Sequence, residues 1–243
     1  MSMASLPDGY RAAVFGASGG IGAAFVEKLV ADPRCALVLA GARSAQSWNS
    51  DRITPFAFDL TNEVTIQHAA EMVGAPDLVL VATGVLHTGR LQPEKTLRSI
   101  EADAMARAFA VNATGPALIA RHIVPLLPRG RRTLFAVLSA KVGSISDNRL
   151  GGWHSYRASK AALNQLIRTI SVELARTHPA SVCVALHPGT VDTALSKPFQ
   201  GGVPPERLFT PQMAASQLLA VLDGLGPGSS GRLIGWDGQE IYP

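Results

Sequence analysis

Short apolar, β-rich runs recur along the chain, and helix-like stretches separate them. The runs predict strands at Arg11–Gly16, Ala36–Gly41, Ile53–Asp59, Asp77–Thr83, Thr133–Ser139, Ser181–His187 and Arg232–Trp236. The intervening stretches predict helices over about 20–31, 62–73, 96–126, 155–177 and 211–223. Alternation of this kind predicts an α/β fold, a doubly wound parallel sheet of about seven strands with helices on both faces. No linker-like composition interrupts the pattern. The stretch GLGPGSSG at 224–231 reads as a loop before the last strand. A single domain over 1–243 is expected, with a core at about 8–190, a lid at about 194–210 and a closing helix and strand in 211–243.

Composition agrees with this picture. The chain has 243 residues, 47% of them hydrophobic and only 16% charged, which suits buried parallel strands and argues against disorder. The net charge is +4, and the one dense basic group, Arg129, Arg131 and Arg132 around Gly130, reads as a turn. No nucleic-acid partner is expected. Cys35 and Cys183 both lie in or beside apolar runs, so two buried free thiols are expected, as in a reducing compartment. The six histidines have no metal-ligand spacing, and no metal site is expected. The start of the chain, MSMASLPDGYR, has no signal-peptide core, and no apolar run is long enough to span a bilayer. A cytoplasmic protein without membrane association is expected.

Two local patterns carry candidate chemistry. The first strand runs into VFGASGGIGAAFVEKL, where Gly16, Gly20 and Gly22 form G-x-x-x-G-x-G. A glycine turn between a strand and a helix lets backbone N–H groups reach a pyrophosphate at the positive end of the helix; tight helix–strand packing alone would use the same glycines. The second pattern is HSYRASKAALNQL, in which Tyr156 and Lys160 are four residues apart. In a helix they share a face. They are either a solvated surface pair or an ammonium that favours the phenolate of a catalytic acid.

Taken together, the glycine spacing and Tyr-x-x-x-Lys resemble the short-chain dehydrogenase/reductase family over nearly the whole chain. The run VGSISDNRLGGWHSYRASKAALN is more particularly similar to the branch with the C-factor-like and sniffer-like carbonyl reductases. The resemblance implies a Rossmann fold, a nicotinamide dinucleotide bound by the turn of Gly16, Ser18, Gly20, Ile21 and Gly22, and Tyr156 as general acid/base. Lys160 would lower the tyrosine pKa and bind the nicotinamide ribose. Asn112, followed by x-x-Gly at Gly115, matches the asparagine that holds a water linking the lysine to solvent. Asp59 and Leu60 match the adenine-contacting pair, although Asp59 could merely cap the next helix. Where the family usually has Asn-Asn-Ala-Gly, this chain has Val81-Ala82-Thr83-Gly84, with Thr83 and Gly84 as cofactor neighbours. Pro188, Gly189, Thr190, Val191 and Thr193 resemble the nicotinamide-amide loop, and Leu195 to Leu208 reads as a mobile substrate lid.

Two readings depend on departures from the pattern. No carboxylate ends the second strand; Arg43 follows Gly41 and Ala42, which favours NADP(H) over NAD(H). The family serine stands about 13 residues before the tyrosine, commonly as Ser-x-x-Gly. Ser139 is 17 residues before Tyr156 and four before Gly143, so alignment on that glycine puts Ala140 at the serine's place. Either Ser139 polarises the carbonyl across a longer loop, or Ser144 does; we take Ser139. The expected function is hydride transfer between NADPH and a small to medium, uncharged carbonyl or alcohol in a homodimer or homotetramer. A cofactor-binding regulator or cell–cell signalling protein is the alternative. A sugar epimerase of the extended fold is disfavoured, because only about 50 residues follow the nicotinamide loop.

Overall fold

The computed structural model describes residues 2–44, 46–89 and 92–243. Seven parallel strands and one antiparallel strand form the central sheet. The strands are β1 (Tyr10–Phe15), β2 (Cys35–Ala42), β3 (Ile53–Ala57), β4 (Leu78–Val81), β5 (Leu134–Leu138), β6 (Val182–His187), β9 (Leu233–Gly235) and β10 (Glu240–Ile241). Their order is β10-β9-β6-β5-β4-β1-β2-β3. Two short strands, β7 (Thr190–Val191) and β8 (Leu208–Phe209), pair with each other apart from the sheet. The edge strand β10 goes beyond the seven expected; it pairs antiparallel with β9 through a turn at Gly238, φ +78.

Strand side chains alternate between the faces and so build two cores. Ala12, Val14, Leu134, Ala136, Val182 and Val184 pack under α1 (Gly20–Val30) and α6 (Pro211–Gly224). Ala13, Phe15, Val79, Val81, Phe135, Val137 and Cys183 point the other way, under α2 (Glu63–Val73), α4 (Gly115–Ile123) and α5 (His154–Thr177). Cys35 and Cys183 are both free and buried. Local chemistry sets the helix starts. The Asn62 side chain accepts from Val64 N–H, and the Thr210 side chain accepts from Met213 N–H with Pro211 in the first turn.

The long helix expected over 96–126 is broken. It comprises a 3₁₀ turn at Leu97–Ser99, α3 (Ala102–Phe109), a π segment at Ala110–Thr114, α4, and a second 3₁₀ turn at Val124–Leu126. The Gly115 N–H bonds Ala110 O, five residues back, and Pro116 has no N–H with which to restore the ordinary bond to Asn112. The basic turn is partly tied down: Arg131 pairs with buried Asp77 at 2.7 Å, and Arg132 donates to the carbonyls of Leu222 and Leu225.

Candidate active site

The sheet order reverses at β1, and the cleft lies beyond the carboxyl ends of β1 and β4. Gly16, with φ +94, makes the turn out of β1. A Cβ there would stand 3.0 Å from both the Ala82 backbone and Thr83 Cγ2. The N–H groups of Gly16 and Ala17 bond Gly41 O. A Cβ on Gly22 would fall 2.8 Å from Gly16 C, so only glycine lets α1 start this close to the turn. The N-cap of α1 is Gly19, which has no side chain with which to occupy the first amides. Ser18, Gly19 and Gly20 are exposed, with Ile21 half-buried behind them. Gly84, past the end of β4, is exposed, and Thr83 Oγ1 is buried with no hydrogen-bond partner among the described residues. Open helix-start amides, a bare glycine surface and an orphaned hydroxyl fit a bound dinucleotide.

Two further predicted segments meet this turn. A Cβ on Gly20 would touch Thr193 Cγ2 at 2.7 Å, so the loop of Pro188, Gly189, Thr190, Val191 and Thr193 lies against the glycine turn. Gly189 has φ +75 and packs against Phe209, which stacks edge-on with Trp236 at 4.7 Å. Arg43 and Asp59 are both exposed, just past the paired ends of β2 and β3. Asp59 accepts from Thr61 Oγ1 at 2.7 Å and Thr61 N–H at 2.8 Å. These bonds, with the nearby Arg43 and Arg107, hold its carboxyl below the usual range. Leu60 is buried, and Gly115 leaves room for it against α4.

Tyr156 and Lys160 occupy the first two turns of α5, both buried, with Lys160 Nζ 6.0 Å from the Tyr156 ring centre. The ammonium donates to Leu138 O at 3.0 Å. Asn112 is fully buried and fully used: Oδ1 accepts from Val85 N–H, and Nδ2 donates to Val85 O and to Ser159 Oγ. Ser159 in turn donates to Tyr156 O, which stitches the β4 exit to α5. A Cβ on Gly84 would be 3.5 Å from Asn112 Oδ1 and 3.6 Å from Lys160 Nζ, so these three residues converge. Burial dominates the electrostatics here. It pushes the Tyr156 phenol up to about 12 and the Lys160 ammonium down to about 8. The sequence reading has the lysine lowering the phenol; in the protein alone, burial raises it.

Neither candidate serine reaches Tyr156 through a hydrogen bond among the described residues. Ser139 Oγ donates to Asn164 Oδ1 at 2.7 Å, and Ser144 Oγ bonds Tyr242 O. In β5, Phe135 and Val137 face α5; alternation turns Ser139 the same way and Ala140 away. Gly143 passes against the Lys160 backbone, where a Cβ would come within 2.8 Å.

The ring contacts around the tyrosine were not predicted from the sequence, which marks DNRLGGW at 147–153 as a polar, Gly-rich loop that could line the entrance and does not single out His87. Trp153 packs edge-on against Tyr156 at 6.2 Å and, at 5.0 Å, against Phe199, in the segment expected to form a lid. His87, after β4, meets Phe199 at 5.6 Å, and its Nε2 lies 3.1 Å from Ala194 O. This ring chain joins the tyrosine to Phe199 and to the segment after β4. The glycine pair Gly151-Gly152 before Trp153 was the available signal, because paired glycines mark unusual backbone.

The family model for short chain dehydrogenase matches residues 11–202. The chain belongs to the short-chain dehydrogenase family. It is 31% identical over 183 residues to 1-hydroxy-2-glutathionyl-2-methyl-3-butene dehydrogenase of Rhodococcus sp. (strain AD45), covering 75% of this chain and 77% of that one. It is 37% identical over 137 residues to the C-signal of Myxococcus xanthus, covering 56% and 77% respectively. Among solved structures, NADPH-bound carbonyl reductase from chicken fatty liver superposes with a TM-score of 0.82 at 25% identity, covering 98% of this chain and all of that one. The carbonyl reductase Sniffer of D. melanogaster has the same fold, with a TM-score of 0.82 at 20% identity. This short-chain dehydrogenase therefore has the nicotinamide-dinucleotide fold of oxidoreductases. Among the described residues, no helix is long and apolar enough to cross a membrane, and no cluster of candidate metal ligands occurs.

Proposed function

We propose that this short-chain dehydrogenase is an NADPH-dependent reductase of small to medium, uncharged carbonyl compounds, with Tyr156 as the proton donor. The convergence of buried Tyr156 and Lys160 with Asn112 and open Gly84 carries the reading. Bound NADPH supplies the hydride. Gly16, Ser18, Gly20, Ile21 and Gly22 hold the pyrophosphate; Asp59 and Leu60 hold the adenine. Thr83, Gly84 and the segment Pro188, Gly189, Thr190, Val191 and Thr193 orient the nicotinamide end. Tyr156, kept protonated by burial, gives its proton to the carbonyl oxygen as that oxygen gains charge. Lys160 binds the ribose and lends positive charge to the phenolate left behind. Ser139 polarises the carbonyl, which must compete with Asn164 for the single hydroxyl proton. The rings of Trp153, Phe199 and His87 favour an apolar substrate face next to Tyr156.

The testing experiment is oxidation of NADPH by the purified protein across aldehydes, ketones and quinones. Turnover that requires NADPH supports the reading; tight NADPH binding without turnover on any of them favours a regulator. The likeness to the C-signal and the engaged serine hydroxyls are the observations on that side.

Two results follow from the site. Arg43→Ala should raise the KM for NADPH at least about tenfold and leave that for NADH nearly unchanged, because a guanidinium pairs with the 2′-phosphate that only NADPH carries. Equal losses would remove Arg43 from that role. The second is a pH profile. As pH rises through about 8, Lys160 loses its proton while Tyr156 keeps its own up to about 12. The value of kcat/KM for NADPH, which reports groups of the free protein, should therefore fall above about pH 8, and this limb should be absent in Lys160→Met. A flat profile to pH 10 would contradict the role given to the ammonium.

A further inference from the structure

Helix α5 begins without a cap of its own. Its N-cap residue is Trp153, whose side chain makes no capping bond and whose backbone is left-handed at φ +52, ψ +43. Gly151 and Gly152 precede it with φ +63 each, so three consecutive residues take a conformation that a bulky side chain resists. Among the described residues, Trp153 is the one non-glycine residue with positive φ. A separate segment, at Glu94, holds it there. Trp153 N–H donates to Glu94 O at 2.6 Å. Ser155 N–H donates to both carboxylate oxygens of Glu94, at 3.3 and 3.2 Å, and Ser155 Oγ donates to Glu94 Oε1. The Glu94 side chain is buried, with the residue 4% exposed.

A buried carboxylate is stable only when its oxygens are satisfied, and here α5 satisfies them. Burial opposes its charge, yet the bonds from Ser155, helped by His154, hold the carboxyl below its usual range. The negative charge also lies at the positive end of a 24-residue helix. Tyr156 follows Ser155 directly, and the Trp153 ring packs on it. The same few bonds therefore locate the phenol, the indole and the first turn of the helix.

We propose that Glu94 is a positioning residue: its carboxylate caps α5 from a distant segment and so fixes the Tyr156 phenol and the Trp153 ring at the substrate site. The proposal rests on Tyr156 being the proton donor. It differs from a merely structural role in what it moves, because a misplaced acid lowers kcat while the dinucleotide, held mainly by the glycine turn and the segment 188–193, binds nearly as before.

The test combines amide hydrogen exchange with kinetics on the full-length protein. Glu94→Gln keeps the shape, removes the charge and leaves one neutral carbonyl oxygen to accept from Ser155, with an NH2 group in place of the other. Exchange at the Ser155 amide should rise at least about tenfold, as expected for loss of a bond to a charged group. The kcat for carbonyl reduction should fall about tenfold or more, with the Kd for NADPH within about twofold. Ser155→Ala keeps the backbone bond and should lower kcat less; adding it to Glu94→Gln should lower kcat little further. A Ser155 amide as protected as in the wild type overturns the proposal, and so does a freed amide with unchanged kcat. Exchange requires no turnover. A freed amide in a protein whose wild type reduces nothing therefore removes the reductase reading, and with it the catalytic role of Glu94. Should Glu94→Gln not fold, Glu94→Asp, charged but shorter, takes its place: a freed Ser155 amide with a lowered kcat supports the proposal, and a protected amide or an unchanged kcat overturns it.

Discussion

Tyr156→Phe should lower kcat by about 10³ or more with the Kd for NADPH within about twofold, since a positioned proton donor contributes about 10²–10⁴. The substitution removes only the hydroxyl. The phenyl ring keeps its packing on Trp153, 6.2 Å away, so the helix start and the rings around it remain. Single-turnover absorbance at the NADPH band reads the chemical step, and fluorescence titration reads binding. Retained turnover would remove Tyr156 as the acid. A phenol pushed up to about 12 holds its proton at neutral pH in the protein alone. To exchange protons readily at pH 7 it must come down by about five units, roughly 7 kcal/mol of differential stabilisation. An ordinary phenol would need only about three units; the difference is the cost of burial.

Gly22→Ala should abolish NADPH binding and lower Tm by several degrees. The added methyl would lie 2.8 Å from Gly16 C and closer still to its oxygen, so either α1 or the turn must move. Overpacking of this kind costs about 1–3 kcal/mol. The shift falls on the backbone proposed to meet the pyrophosphate, so binding is lost in excess of stability. Gly130→Ala is the control, because a Cβ there meets nothing within 4 Å; its Tm should match the wild type within the scatter of surface changes, about 0.5 kcal/mol. Thermal melts with and without NADPH measure both quantities. A Gly22→Ala protein that NADPH still stabilises fully would show that the turn tolerates a side chain.

Much of the fold was legible because it is written in local pattern. The strand runs of β1 to β6 were each placed to within about two residues, since apolar, β-rich segments declare themselves over a few positions. The glycine turn was legible for a related reason: positive φ and close approach at Gly16 and Gly22 leave few alternatives to glycine. Edge strand β10 was not legible. Two half-buried residues carry no periodicity, and their pairing depends on β9 already being in place. The broken helix over 96–126 was missed because its apolar content continues through the π segment; the interruption comes from Pro116 and from the bonds of Asn112 to Val85.

The sequence by itself determined the order of strands and helices, the turn that can receive a dinucleotide and the helical spacing of Tyr156 and Lys160. Each of these depends on neighbours within a few residues. Only the tertiary structure decided that Ser139 donates its hydroxyl hydrogen bond to Asn164, 25 residues away. It also decided that Glu94 caps a helix 61 residues downstream, and that burial raises the phenol and lowers the ammonium. A hydroxyl's partner, a carboxylate's charge and a residue's pKa are set by whatever the folded chain brings within a few ångströms, and local pattern does not carry that information.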